Sequence, residues 1–459
     1  MRRQRLTLAL IASLSAFAAG APAADLAEIY EMARASDPQL AAAESAMFAA
    51  GEGVVQARAA LLPRVTGSAS ISDSNNAGSS LSTPIRLPDG TLTFGRAVSS
   101  GESTSRSYRL DLTQSIYNHS NYTRLRGARA GKSRFEASYD AALDNLIVRV
   151  ATAYFGALTA TTNLNAAQAE ETAVKRQLEQ AEQRFEVGLS AITDVHEARA
   201  RYDGARAAAI LAQNQLDDAY EALAELTGKP VGDVRPLADD IKLNRPQPDN
   251  TEEWVATAQA ESPALSIRRF ELEQAEQNVE TAKAGHLPTL GASYGWTNSA
   301  SWGSTVANGE TRPGDSDFRD HGFGVSLNVP IFEGLGTQSR VRQEVHNRDA
   351  ARDQYEQEQR AVVRSTRNAF RAVAAGISEV EARKQAQISA QSALDATQAG
   401  FEVGTRTIVD VLISQQVLFQ AQRDYARARH DYLLNSLRLK QAAGTITVAD
   451  LQAVNALLR

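Results

Sequence analysis

The sequence has no cysteine. That removes disulfide frameworks, thiolate metal centres, cysteine nucleophiles and lipid attachment through an N-terminal cysteine. Aromatic residues are only 6% of the 459 positions, so any core must be built from Ala, Leu and Val. Neither sign of charge dominates. The 48 Lys and Arg face 54 Asp and Glu, a net charge of −6, whereas a nucleic-acid binder normally carries a basic excess. Proline is missing from two long windows: of 13, none falls between Pro88 and Pro230 and none after Pro330. An interior proline costs a helix about 3 kcal/mol, so both windows are open to very long helices. Beyond the N-terminal segment no long uncharged apolar run occurs, and no membrane-spanning helix is expected in the mature chain.

Residues 1–23 read as a secretory signal. Arg2, Arg3 and Arg5 form its positive start, an apolar stretch follows, and Ala21-Pro22-Ala23 is a small-residue cleavage site. The apolar stretch is short for a membrane span, which needs about 20 residues. A chain of this length usually folds as two or more domains, and an internal repeat organises this one. Asp37-Pro38 matches Ser262-Pro263 and Leu62-Pro63 matches Leu287-Pro288, both at an offset of 225. Phe185-Glu186-Val187-Gly188 matches Phe401-Glu402-Val403-Gly404 at 216, as Ile192-x-Asp194-Val195 matches Ile408-x-Asp410-Val411. The expected order is repeat 1 at 24–228, a linker at 229–250, repeat 2 at 251–444 and a C-terminal segment at 445–459.

Residues 121–187 and 339–403 are rich in Ala, Leu, Glu, Gln and Arg, strong helix formers. At 1.5 Å per residue each run makes a helix of roughly 100 Å. Each ends at Val-Gly, where Gly188 or Gly404 suits a left-handed cap, with Ser190 and Thr405 expected as the next N-caps. Shorter helices then run to Gly228 and Gly444, and opening helices start at Pro38 and Pro263. Opening plus closing helix about equals one long helix, so each repeat is expected to pack as a hairpin with one continuous and one broken arm.

Between these helices the pattern alternates with period two. Tyr108, Leu110 and Leu112 share one face, as do Leu290, Ala292, Tyr294 and Trp296, and Phe323, Val325, Leu327 and Val329. A weaker candidate covers residues 65–71. Ser/Gly/Asn-rich stretches at 72–103 and 298–320 read as long polar loops joining the strands in pairs. Such strands in an exported chain fit an outer-membrane barrel. Four strands cannot close one, since about eight is the minimum, and bare edges in hydrocarbon are not tolerated. Several chains must therefore pool their strands.

Signals for chemistry fail. Gly127-x-x-x-Gly131-Lys132-Ser133 is one residue short of a phosphate loop and lies inside an expected helix. His196-Glu197 lacks a second His at Ala200, so the zinc-protease pattern is absent. No catalytic residue, metal site or cofactor is expected.

The duplicated plan and tip motifs resemble the TolC family of outer-membrane efflux and type I secretion ducts. So does the run Ala426-x-Ala428-x-x-Asp431-Tyr432-Leu433-Leu434-Asn435, followed by Leu437-x-Leu439-Lys440 and Ala443-Gly444-Thr445. The likeness covers essentially the whole mature chain. It implies a mainly α fold with β: four strands per chain pooled to twelve in a homotrimeric outer-membrane barrel, and a long periplasmic helical barrel. The N-terminal, inter-repeat and C-terminal segments would form a belt. Implied partners are outer-membrane lipid, a periplasmic adaptor (membrane fusion) protein and an inner-membrane RND pump or ABC transporter; nucleic acid is not one. The resemblance implies a gate in which Arg406 bridges to Thr193 and Asp194 of the other hairpin. The family's gate tyrosine is Phe401 here, so that link is lost. A second polar pair maps to Gln177 and Gln398. Asp410 matches the first acidic selectivity ring, and Ile413 replaces the second. Gly188, Leu189, Gly404 and Thr405 match the adaptor-docking tips. The competing reading is a soluble secreted helical structural protein.

Overall fold

The computed structural model describes residues 24–81, 85–94, 96–307 and 310–459; the expected signal at 1–23 lies outside the described residues. In chain order the elements are α1 (Leu26–Ser36), α2 (Pro38–Ala59), β1 (Arg64–Leu81), β2 (Ile85–Arg86), β3 (Leu92–Thr93), β4 (Arg96–Tyr117), α3 (His119–Glu186) and α4 (Ile192–Thr227). The second half follows with α5 (Thr251–Glu261), α6 (Pro263–Lys283), β5 (Thr289–Ala307), β6 (Glu310–Pro313), β7 (Ser316–Asn328), α7 (Gly336–Glu402), α8 (Ile408–Ala443) and α9 (Val448–Asn455). The chain divides into two compact units. One holds the described residues up to Phe48 with Ser133–Arg269 and Asp353–Arg459; the other holds Ala49–Lys132 and Phe270–Arg352.

The long helices α3 and α7 have 68 and 67 residues, most of each in the first unit, and α4 and α8 have 36 each. Their ends obey local chemistry. Gly188 and Gly404 turn the chain at φ 77° and 80°, a region open to glycine and strained for other residues. The N-caps differ from expectation. They are Ala191 for α4 and Thr407 for α8, and Thr405 instead closes α7, its N–H and hydroxyl both donating to the Gly400 carbonyl. Short helices α1 and α5 precede the expected openings. Each stops at the residue before a proline, Asp37 or Ser262, where the helical region is disfavoured.

The scarce large side chains are concentrated in one core. Tyr154, Phe155, Leu26, Ile29, Leu437 and Leu451 are among its fully buried members. One window of α3 is apolar enough to cross a membrane, and half of it is buried in the fold. The segments flanking the repeats are tied together around this core. Ala24 bridges to Val234 and Leu237 to Leu458. The Tyr154 hydroxyl donates to the Arg235 carbonyl at 2.8 Å, and the Tyr432 hydroxyl donates to the Asn244 carbonyl at 2.9 Å. Asp37 is buried, accepts from the Leu40 N–H at 2.9 Å and pairs with Arg149. Helix ends meet at two glycines: a Cβ on Gly228 would lie 3.4 Å from Ser36 Cβ, and one on Gly444 would lie 2.5 Å from the Glu261 carbonyl oxygen.

The second unit carries an antiparallel sheet in the order β1-β4-β5-β7, with β6 folded onto the far end of β5 and β2 pairing β3 apart from it. β1 pairs β4 without a break from Arg64↔Thr113 to Leu81↔Arg96. β5 pairs β7 from Thr289↔Asn328 to Ser301↔Ser316. The expected loops at 72–103 and 298–320 are therefore largely strand. Ser and Thr hydroxyls bond across the ladder, as in Ser72–Ser105 at 2.7 Å and Ser74–Ser103 at 2.9 Å, so small polar residues here extend the strands rather than end them.

Candidate functional site: an open-edged sheet and two hairpin tips

Register converts the alternation of each strand into two continuous faces. Val65, Leu112, Tyr294 and Phe323 lie in one row across all four strands, and Leu110 and Trp296 share the next row of that face. These apolar side chains are bared: Phe323 is 74% exposed and Leu327 65%. The opposite face presents rows such as Ser68, Arg109, Thr297 and Asp320. Outer-membrane barrels alternate apolar-out and polar-in in this way. Among the described residues β1 pairs only β4, and β7 pairs only β5. Both edges of the sheet carry unpaired backbone groups.

The tips belong to the helical unit. At the first, Leu189 N–H donates to the Arg184 carbonyl at 2.7 Å and Gly188 N–H to that of Phe185 at 2.9 Å. At the second, the Thr405 N–H (2.8 Å), the Thr405 hydroxyl (3.0 Å) and the Arg406 N–H (3.2 Å) all donate to the Gly400 carbonyl. Thr407 and Asp410 then form a reciprocal capping box: the Thr407 N–H and hydroxyl each donate to Asp410 Oδ2 at 2.9 Å. Those bonds, led by the Thr407 N–H and aided by the charge of Arg406, hold the Asp410 carboxyl below the usual carboxylate range. Asp194, at the equivalent position, has Ala191 in place of Thr407. Among the described residues no donor reaches its side chain.

The two hairpins of one chain meet. Val174 of α3 packs on Ile408 and Leu412 of α8, with Tyr202 of α4 and Phe401 of α7 against them. Ladder contacts continue away from the tips: Arg423 pairs with Glu170 at 3.3 Å and Arg201 donates to Gln416 at 3.3 Å. A cavity of about 230 Å³ lies between the tips, lined by Arg184, Leu189, Asp194, Phe401, Arg406 and Ile408 among others. Arg406 and Asp194 thus share a cavity, yet among the described residues no ion pair joins them. Thr193 is exposed beside it. Gln177 and Gln398 are half-buried, no hydrogen bond joins them, and Gln177 Oε1 is buried without a partner. Leu189 is 70% exposed, and the sequence reading missed its equally bare neighbours Val187 and Val403. It also missed Thr407, although Thr-x-x-Asp before an apolar run is a sequence signature. Val174, Tyr202 and Arg423 carry no such signature, because only tertiary packing brings them to this surface.

The profile of the outer membrane efflux protein family matches residues 29–229 and 254–445. The chain belongs to that family. It is 37% identical to outer membrane protein TolC of Vibrio cholerae over 459 residues, covering 100% of this chain and 99% of that protein. It is 29% identical to the alkaline protease secretion protein AprF of Pseudomonas aeruginosa over 93% of this chain and 86% of that one. Its fold is similar to the outer membrane protein VceC of Vibrio cholerae, with TM-score 0.73, 19% identity and coverage of 91% and 96%. The Campylobacter jejuni CmeC outer membrane channel is as similar, with TM-score 0.73, 18% identity and coverage of 95% and 90%. This is an outer-membrane exit channel, and the reading as a soluble secreted structural protein falls.

Proposed function

We propose that the chain assembles as a homotrimer whose pooled twelve strands form one barrel in outer-membrane lipid, after removal of residues 1–23, and whose hairpin tips close the periplasmic mouth. The observation that carries this is the four-stranded sheet with one bared apolar face and two unpaired edges. In hydrocarbon each unpaired backbone group costs several kcal/mol, so edge must pair with edge of another copy. The duct is passive and performs no catalysis. It exports drugs or proteins when a periplasmic adaptor and an inner-membrane RND pump or ABC transporter dock at its tips. Gly188, Leu189, Gly404 and Thr405 form the docking tips, with exposed Leu189, Val187 and Val403 as their apolar knobs. The mass of the protein extracted in mild detergent, corrected for bound detergent, should equal three chains; a monomer released by salt alone overturns the assembly.

The gate reading assigns closure to Arg406, Thr193 and Asp194, with Phe401, Gln177 and Gln398 around them. It is supported by a cation and a carboxylate that share a cavity yet lack an ion pair among the described residues, leaving both for a neighbouring protomer. Asp410 supplies one anionic ring at the mouth and, with Ile413 in place of a second acid, gives modest cation selectivity. Arg406→Ala should raise single-pore conductance in planar bilayers several-fold. Unchanged conductance overturns the latch.

A further inference from the structure

The proposed gate has lost its tyrosine link at Phe401, and the ring has a different partner. The guanidinium of Arg184 lies 5.0 Å from the Phe401 centroid, within the range for cation–π attraction. Arg184 is in the last turn of α3, in the first hairpin, and Phe401 is in the last turn of α7, in the second. Both line the small cavity that also holds Asp194 and Arg406.

Three features make this more than a chance surface contact. The ring is fixed, because Phe401 packs at once against the α7–α8 cluster around Leu394 and Val411 and against the inter-hairpin cluster of Val174, Ile408 and Leu412. Arg184 is half-buried, and among the described residues no carboxylate pairs with it, so the ring face is the partner its charge has. The repeat supplies the contrast. Phe185, the equivalent of Phe401, is 42% exposed, and the second copy has Gly400 at the position of Arg184.

We propose that Arg184 and Phe401 form a second latch of the closed mouth, a cation–π clasp joining the two hairpins of each protomer. This rests on the reading of the tips as a gate. The clasp holds the second hairpin against the first from within one chain, independently of Arg406. Movement of one hairpin away from the other pulls the ring from under the guanidinium and exposes both to water. Phenylalanine suits this role, since its apolar body stays in the inter-hairpin cluster while its face takes the cation.

The test is a double-mutant cycle read as single-channel conductance and open probability in planar bilayers. Arg184→Gln removes the cation while keeping length and polarity, and Phe401→Leu keeps apolar bulk without a π face. Each should raise the open-state population about three- to tenfold per protomer, and the double variant should open no further than the stronger single. Arg184→Lys should restore most of the closure, which separates a charge on the ring from mere packing. Detergent-extracted mass monitors assembly, so a variant that fails to trimerise is replaced by Phe401→Met. Two fully additive singles, or singles that leave conductance unchanged while Arg406→Ala opens the pore, overturn the clasp and leave the gate intact. If Arg406→Ala, Arg184→Gln and Phe401→Leu all leave conductance unchanged, the gate falls and the clasp with it.

Discussion

The two hairpin tips descend from one sequence plan and are stabilised differently. The second is locally satisfied: Thr405 and Arg406 close α7, and Thr407 and Asp410 cap α8. The first has Ala191 at the cap, and among the described residues its acid, Asp194, has no local donor. The contrast extends along the following helices. α4 buries mostly alanines, such as Ala198, Ala205, Ala209 and Ala212, whereas α8 buries Leu412, Leu418, Leu433, Tyr432 and Leu437. A carboxylate consumed by its own helix is fixed charge, while one without a local donor is available to a partner. In the proposed gate, one change at the cap after duplication would leave Asp410 as ring charge and Asp194 as latch.

The contrast breaks hardest where the halves are held to the core. Gly228 and Gly444 end α4 and α8 with φ 68° and 71°, and alanine at either meets a left-handed penalty of about 1–2 kcal/mol. At Gly444 the new methyl would also lie 2.5 Å from the Glu261 carbonyl and 2.9 Å from Ser262 Cα, backbone that cannot turn aside. Gly444→Ala should cost about 4 kcal/mol or more, with Gly228→Ala near the lower figure, measured by denaturant midpoints in detergent. Equal losses would show the two junctions to be alike.

A smaller effect separates α8 from α4 by pH. His430 is buried beneath Phe155, bonded to the Thr159 hydroxyl at 2.8 Å; its counterpart Asn214 is exposed. Burial, then the charge of Arg429, pushes the imidazole down to about 4. Its stability contribution is complete above the unfolded value near 6.5 and is lost as pH falls toward 4, a change of about 3 kcal/mol. Asp144 opposes it. Burial, then Asp140, raises that carboxyl to about 6, so its contribution is complete below about 3.9 and is lost as pH rises through 6. Relative to the wild type, His430→Asn should therefore gain about 3 kcal/mol between pH 7 and pH 4. A parallel pair of pH profiles would contradict a buried neutral imidazole.

The smallest change is at the caps. Thr407→Ala should cost about 1 kcal/mol and leave Asp410 as unpartnered as Asp194. The reciprocal Ala191→Thr should stabilise α4 by a similar amount and draw Asp194 into its own helix. Its conductance should rise toward that of Arg406→Ala; a stabilised chain with an unaltered pore would show that Asp194 is not the latch.

Much of this was legible from periodicity. Proline-free windows marked α3 and α7 to within a few residues, and strict alternation marked Tyr108, Leu110 and Leu112 on β4 and Phe323, Val325 and Leu327 on β7. What periodicity cannot supply is register: that Val65, Leu112, Tyr294 and Phe323 form one row depends on pairing between strands remote in sequence. Composition misled at 72–103, where serines that suggest a loop bond to one another across a ladder. At the tips the glycines were legible from the Val-Gly motif. The meeting of Arg184 with Phe401 was not, because the two residues belong to different repeats and only the packing of Val174 on Ile408 brings them together.

The bare edges of β1 and β7 bear on inheritance as well as on assembly. In the proposed trimer each chain lends one edge to each neighbour, so a copy with a ruined edge spoils the whole ring it enters. In a cell making such copies and intact ones equally, only about one ring in eight would be free of the defect. Edge lesions should therefore behave as dominant, whereas lesions buried within one chain's helical core, which prevent that chain from joining at all, should behave as recessive.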